Sequence, residues 1–451
     1  MTRFQVRRAL LLFAALAACR RDSGAGAPAD AALDAPFEAH DPKPAVLAAR
    51  CHATERAVRV DDGAALDELD IGDAVAYSDG SAVALIHRTS AGRVAAVAIV
   101  GATAADDRVV DLGPTLGDAP PPSLASCSNQ IVAGTLALRG PSRDGGTPSA
   151  ARDLVLHAVD PHGAEKAFGR IPQNGDESLA FDLACSGLHG LAVWDETVLA
   201  PPGVAARGVI RGASFSMGQP AADANAISPS DSDAEMPRAV PSGAGFFVLW
   251  LARRPEGPRG SDGSADIEAV GEARSFGWIE MVAVDVGGKP SGSVRRLTPA
   301  TGHVSAYDAL VLSEGPNPDV LVVARDDGES IDAAGGVLLR ARVRNGGVES
   351  LLVLPTEGLG RGSPMFVDAP LPWLSWVGPH EEVRMLPLDA AGEVAAPASV
   401  EDGLNEARPL ISRAYGRDVP GPSGAQSSQG LVLVAAPGDK VAELRVFDCQ
   451  R

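Results

Sequence analysis

The chain has 451 residues, 45% of them hydrophobic and 22% charged, so it is long enough to bury a large core and too apolar to be wholly disordered. A formal net charge of −19, from 39 basic and 58 acidic residues, repels phosphate backbones and anionic headgroups, and no basic patch offsets it, which excludes a nucleic-acid partner. Aromatic residues are only 4%, which leaves Ala, Val and Leu to fill the core.

The chain begins with an address. Arg3, Arg7 and Arg8 form a positive segment, and Ala9 to Ala18 form an apolar run too short to span a bilayer as a permanent helix. Leu16-Ala17-Ala18-Cys19 resembles the lipobox of bacterial lipoproteins. The resemblance covers only this terminus and implies a signal peptide over 1–18, with Cys19 acylated as the mature N-terminus. Arg20 and Arg21 follow, not the aspartate that retains lipoproteins at the inner membrane of enteric bacteria, so the expected location is the cell envelope, with the outer membrane favoured. Residues 19–44 are rich in Ala, Pro, Asp and Gly without periodicity and read as a flexible tether. The remaining body, 45–451, contains no apolar run long enough for a membrane helix.

Short apolar runs punctuate the body, ending at or near His87, Leu138, Trp194, Trp250, Val323, Trp376 and Val434, with spacings of 51, 56, 56, 73, 53 and 58 residues. Each is too short for a helix and rich in β-branched or aromatic residues. Phe246 to Leu251 is the clearest, and it reads as a strand buried on both faces. A short candidate strand, often opened by proline, precedes many of the runs, as at Pro237, Pro364 and Pro409. Hairpins with Asp or Asn and Gly in the turn follow, as in Asp160 to Gly163, Asp285 to Gly288 and Asn345-Gly346. Four strands per unit at a fixed period predict an all-β, seven-bladed β-propeller, with six or eight blades as the alternatives. The one helix candidate, Asp62 to Leu69, is short. Long Gly/Pro/Ser/Asp-rich segments, such as Gln219 to Glu235 and Arg253 to Glu272, read as mobile surface loops.

The last unit stops at Arg451 without an outer strand, and Thr54 to Val60 is placed to supply it. An antiparallel pairing there brings Cys51 beside Cys449, where a disulfide would lock the ring. Cys127 and Cys185 precede the buried strands of adjacent units and form a second candidate bridge, although four cysteines allow three connectivities.

Local motifs for chemistry are missing. There is no HExxH, GxSxG in the right context, P-loop or EF-hand loop, and no catalytic, cofactor-binding or metal residue is assigned. His87 at a strand end reads as a hydrogen-bonded core histidine. Acidic clusters at Asp231, Asp233 and Glu235, at Asp262, Asp266 and Glu268, and from Asp326 to Asp332 read as solvated loops. Asp106-Asp107 and Glu381-Glu382 are sequence neighbours, and adjacent strand residues point to opposite faces. Val286-Gly287-Gly288-Lys289-Pro290 has the look of a phosphate loop but sits in a hairpin turn. Trp194, Trp250 and Trp376 recur at the core period and read as packing residues.

Two functions remain. The favoured expectation is a membrane-anchored binding or scaffold module without cofactor, engaging an envelope protein or glycan through a propeller face or its loops. The alternative is an exported propeller enzyme, a hydrolase or lyase, with its active site at the channel mouth. Carboxylates or histidines converging in the channel would favour the enzyme.

Overall fold

The apolar runs are two-faced because each is the second strand of a sheet sandwiched between two others. In Phe246 to Ala252 every residue is buried. Leu249 and Leu251 pack with Ile279, Tyr307 and Val322 on one side, while Phe246, Val248 and Trp250 pack with Leu191 and Ile210 on the other. Alternation along a strand serves two cores at once, so no polar face is left and the sequence shows an unbroken apolar run.

The architecture is that of a computed structural model. It describes the strands and most of their connections between Arg50 and Gln450. Residues 1–49, 60–69, 139–151, 173–179, 199–206, 255–275, 329–335, 401–409 and 412–428, together with shorter gaps in turns and the last residue, lie outside the described residues. Among the described residues the strands pair into seven four-stranded antiparallel sheets. One combines the chain ends, using β1 (Arg50–Arg59), and the others are contiguous. The first contiguous sheet holds β2 (Asp70–Tyr77), β3 (Gly80–Thr89), β4 (Gly92–Val100) and β5 (Arg108–Pro114); the next holds β6 (Ser123–Cys127), β7 (Gln130–Leu138), β8 (Arg152–Val159) and β9 (Glu165–Pro172). Then come β10 (Phe181–Ser186), β11 (His189–Val198), β12 (Arg207–Ser216) and β13 (Asn225–Ala226), followed by β14 (Asp233–Pro241), β15 (Gly245–Arg253), β16 (Gly277–Asp285) and β17 (Arg295–Arg296). The last two contiguous sheets are β18 (Val304–Ser313), β19 (Asp319–Asp326), β20 (Val337–Arg344) and β21 (Gly347–Leu354), and β22 (Met365–Val367), β23 (Trp373–Val377), β24 (Val383–Pro387) and β25 (Ser399–Val400). The split sheet adds β26 (Leu410–Ile411), β27 (Gln429–Pro437) and β28 (Ala442–Gln450) in the order β1-β28-β27-β26.

This is an all-β β-propeller. Five hydrophobic clusters mark the five seams between consecutive contiguous sheets, each drawing residues from both neighbours. Trp194, Trp250 and Trp376 sit in three of these seams as packing residues. The split sheet is anchored from its outer strand: Arg56 on β1 donates Nε to Asp107 Oδ2 at 2.8 Å and Nη2 to the Gly101 carbonyl at 2.9 Å, and also pairs with Asp107 Oδ1. Val58, on the same strand, is buried opposite buried Leu444. No helix among the described residues is long and apolar enough to cross a membrane.

The segment Gln219 to Glu235, expected to be a mobile loop, is a correction. It contains β13 and the start of β14, and it is tied down by side chains that serve backbone donors. Asp233 Oδ1 accepts the Gly208 N–H at 2.7 Å and Ser228 Oγ accepts the Ile210 N–H at 2.9 Å. Composition marked it as loop because its polar residues cap strand edges instead of facing water.

Charge also stitches one seam. Arg342 donates to both oxygens of Asp319 at 3.0 and 2.7 Å, Arg344 adds a third bond at 3.0 Å, and Arg342 reaches Glu393 of the following sheet at 3.3 Å. Burial pushes the Asp319 carboxyl up, but the hydrogen bonds from Arg342 and Arg344 outweigh it and hold it below the usual carboxylate range. A folded-state pKa depressed in this way contributes stability above the unfolded value, and that contribution is lost as pH falls through the folded value. Acid titration of stability should therefore show a flatter limb below about pH 4 for Asp319→Asn than for the parent. Equal slopes would mean the pair contributes nothing.

Candidate functional site

The first strands of the sheets carry the polar residues that the seams exclude. Asp73 on β2, Ser123 on β6, Asp182 on β10, Arg238 on β14 and Asp308 on β18 come one from each of five consecutive sheets and gather at or beneath one cavity, the mouth. Ser123 Oγ lies 2.8 Å from Asp73 Oδ2 and 2.9 Å from Asp182 Oδ1, so its single proton serves one carboxylate at a time. The two carboxylate oxygens cannot be farther apart than those contacts laid end to end. Arg238 Nη1 sits 3.2 Å from Asp73 Oδ1 and 3.5 Å from Asp182 Oδ1. Burial works against the Arg238 charge, but the Asp73 and Asp182 carboxylates more than offset it and hold the guanidinium firmly protonated.

Three of these residues also join sheet to sheet by the same device. Ser123 Oγ accepts the Leu183 N–H at 3.1 Å, Asp182 Oδ2 accepts that of Ala239 at 2.9 Å, and Asp308 Oδ2 accepts that of Phe366 at 2.8 Å. The first strands β6, β10 and β18 thus each hand an acceptor to the first strand of the next sheet. Arg238, which has no acceptor, breaks the series, and Asp308 bonds its own neighbour Ala309 N–H at 2.8 Å.

Above this floor is a cavity of about 270 Å³ lined by Asp73, Ser123, Arg238, Tyr307 and Asp308, with a collar that includes Pro121, Phe181, Met236, Pro364 and Met365. The Asp73 side chain is 14% exposed and that of Arg238 28%, against 4% for Asp182, so the first two present polar atoms to the cavity while Asp182 works from beneath. Tyr307 Oη donates to the Met236 carbonyl at 2.6 Å, closing one wall. A larger hollow of about 540 Å³ lies among the turns of the β14–β17 and β18–β21 sheets, but of its lining residues only Asp285 and Arg295 are charged. Convergent acid and base groups make the smaller cavity the chemical candidate.

The course of the chain resembles that of several solved structures, at very low identity. Polysaccharide lyase Uly1 is 8% identical, with a TM-score of 0.47 over 88% of this chain and 99% of its own. An α-L-arabinofuranosidase from Fusarium graminearum, in complex with an iminosugar inhibitor, is 8% identical at a TM-score of 0.43, over 88% and 98%. The β-propeller domain of the Trilobed protease from Pyrococcus furiosus, with its open velcro topology, is 9% identical at 0.44, over 85% and 94%. No family model and no curated protein matches the chain. Likenesses at this level carry nothing about chemistry, which has to come from the residues.

The residues singled out in the sequence fall elsewhere. Cys127 and Cys185 form a disulfide between β6 and β10, with Cα atoms 5.2 Å apart. Cys51 stands opposite Cys449 in the β1–β28 register. Cys19, the tether, Asp262, Asp266, Glu268, Glu381 and Glu382 lie outside the described residues. His87 Nε2 is 3.1 Å from Asp111 Oδ1, the hydrogen-bonded histidine expected at that strand end. Asp285 Oδ1 accepts the N–H groups of Gly287 and Lys289, both at 2.9 Å, so the donors of the phosphate-loop lookalike already hold a carboxylate. Asp106 closes its own turn on Thr103, and Asp107 is taken by Arg56. Among the described residues no group of three or more His, Cys, Asp or Glu is arranged to hold a metal ion.

Sequence reasoning missed the whole mouth. A signal was present: Asp73, Ser123, Asp182 and Arg238 each precede an aliphatic pair on a first strand, and successive members are 50, 59 and 56 residues apart, close to the repeat period.

Proposed function

We propose that the protein is an exported, lipid-anchored propeller enzyme that hydrolyses an uncharged glycan at the channel mouth. The observation that carries the reading is the convergence of Asp73, Asp182 and Arg238 around the Ser123 hydroxyl at the floor of a cavity. Asp73, the carboxylate with a face on the cavity, takes the proton of the attacking water and returns it to the departing sugar oxygen as the glycosidic bond breaks. The Arg238 guanidinium polarises the oxygen on which charge develops, and Asp182 positions both through Ser123 and Arg238. Among the described residues the mouth sets three carboxylates beside one guanidinium, an arrangement that suits an uncharged glycan better than a polyanion. Elimination by a lyase needs an acidic C–H beside a substrate carboxyl, so hydrolysis suits the charge better.

In this reading residues 1–18 are removed, Cys19 carries the lipid, 19–44 tethers the body, and 45–451 is a seven-bladed ring whose last blade is the sheet shared by the two chain ends. The outer membrane is the favoured site.

A second reading has its own support. Ser123, Asp182 and Asp308 are each engaged in sheet-to-sheet hydrogen bonds, as purely structural residues would be. The body would then be a scaffold or binding module working through its loops.

One experiment separates them. Cys19→Ser should release the protein from membranes, and the released form is assayed for new reducing ends on a panel of uncharged oligosaccharides. Asp73→Asn should lower the rate at least about a hundredfold while leaving thermal unfolding within a few degrees of the parent. An inactive parent hands the case to the scaffold, and a fully active Asp73→Asn removes Asp73 as the general base.

A further inference from the structure

Met236 holds a backbone conformation that its side chain should avoid. Its φ is 53°, in the left-handed region, and Pro237 follows it, which further narrows the options of the residue before. The conformation coincides with a break in register between Glu235 and Arg238, where β14 bulges against β15. Two hydrogen bonds fix it from outside the strand: Tyr307 Oη donates to the Met236 carbonyl at 2.6 Å, and the Met236 N–H reaches Asp195 Oδ2 at 3.3 Å.

What the bulge achieves is a side-chain position. Met236 is 38% exposed, among the few large hydrophobic residues of the described chain that are, and it lines the mouth cavity beside Arg238 and Tyr307. A strand without the bulge would alternate its side chains regularly between its two faces. Strain of this kind persists where surrounding contacts over-determine it, and it clusters where a side chain has to meet a ligand.

We propose that Met236 determines specificity at the mouth, and that it selects a sugar ring bearing a small acyl substituent. The inference rests on the reading of the mouth as a glycan site and adds which glycan. Asp73, Ser123 and Arg238 offer acceptors and donors for hydroxyl groups on the floor. Pro121, Phe181 and Met365 offer flat or soft apolar surface for the C–H face of a ring. At about 270 Å³ the cavity lies just below the usual range for small-molecule sites, about 300–1,000 Å³, which suits a single ring. A thioether is polarisable and adaptable and has no strong hydrogen bond to give, so it rewards an acyl methyl and not another hydroxyl.

The test is equilibrium binding, which needs no turnover. Tri-N-acetylchitotriose and cellotriose differ at the 2-substituent alone and serve as probes for the parent, Met236→Leu and Met236→Gly. The parent should prefer the acetylated probe at least about tenfold, the range that one apolar group commands. Met236→Leu should keep that preference and Met236→Gly should lose it, with cellotriose affinity unchanged. Glycine accepts positive φ without strain, so Met236→Gly should leave Tm unchanged or raise it by about 1–2 °C. A residue held only for packing would instead lower Tm and leave the preference intact, and that pair of results overturns the proposal. A parent that binds both probes equally overturns the Met236 assignment while leaving the mouth as a glycan site. A parent that binds neither removes the glycan reading and this inference together.

Discussion

Asp308→Ala should destabilise the body by about 3–5 kcal/mol, more than any other single substitution at the mouth. Asp308 is 1% exposed, and its two oxygens satisfy two buried backbone donors at 2.8 Å each, Ala309 N–H on its own strand and Phe366 N–H on the first strand of the next sheet. Deleting the carboxylate leaves both buried donors without their acceptor, at about 1–3 kcal/mol each. Asp308→Asn keeps one acceptor and should fall between Asp308→Ala and the parent. Urea unfolding at neutral pH measures the series. An Asp308→Ala midpoint close to the parent, with an unchanged slope, would show that the first strands are held by packing and that the repeated acceptor is incidental.

The same contact explains what could be read from the sequence and what could not. Second strands such as β15 and β19 were plain, because burial on both faces leaves a run with no polar interruption, and burial is what hydropathy reports. The turns were plain as well, since Asp285 and Asp389 must accept the N–H groups of a tight hairpin and a glycine must follow. First strands were weaker signals. β22 has three residues, and the polar position of each first strand interrupts the apolar pattern. The five polar residues of the mouth, Asp73, Ser123, Asp182, Arg238 and Asp308, stand on separate sheets, so no window of sequence contains two of them.

The expectation of a binding module leaned on the absence of catalytic motifs. That inference has force for folds that build a site from one loop and little for a ring, where a site needs only one residue per sheet. Lining up the units by their second strands would have put Asp73, Ser123, Asp182, Arg238 and Asp308 in one column. Arg238 then stands out as the lone cation among acceptors. Met236 was beyond reach, because a bulge is a property of pairing and leaves no mark in composition.

Breaking the link between the chain ends should have the second large effect. The strand nearest the N-terminus of the body pairs antiparallel with the final strand, and Cys51 faces Cys449 in that register. Facing residues of an antiparallel pair have Cα atoms about 4.5–5.5 Å apart, inside the range of about 4.4–6.8 Å that a disulfide spans. Cys127 and Cys185 bond each other, so in the proposed form, exported and acylated at Cys19, these two would be the remaining thiols and an oxidising envelope would supply the acceptor for their electrons. The bridge would close a loop containing nearly the whole body, for which chain-entropy reasoning gives about 6 kcal/mol. Peptide mapping of the exported protein without reductant should recover a linked Cys51–Cys449 peptide. Cys449→Ser should lower stability by about that amount, and the strand Arg50–Arg59 should become the first site of proteolysis. Arg56 works against that loss, because its bonds to Asp107 and Gly101 hold the strand from the side, so Arg56→Ala combined with Cys449→Ser should cost more than the two changes separately. Recovery of both cysteines as free thiols from the oxidised, exported protein would leave the ring closed by hydrogen bonds and packing alone.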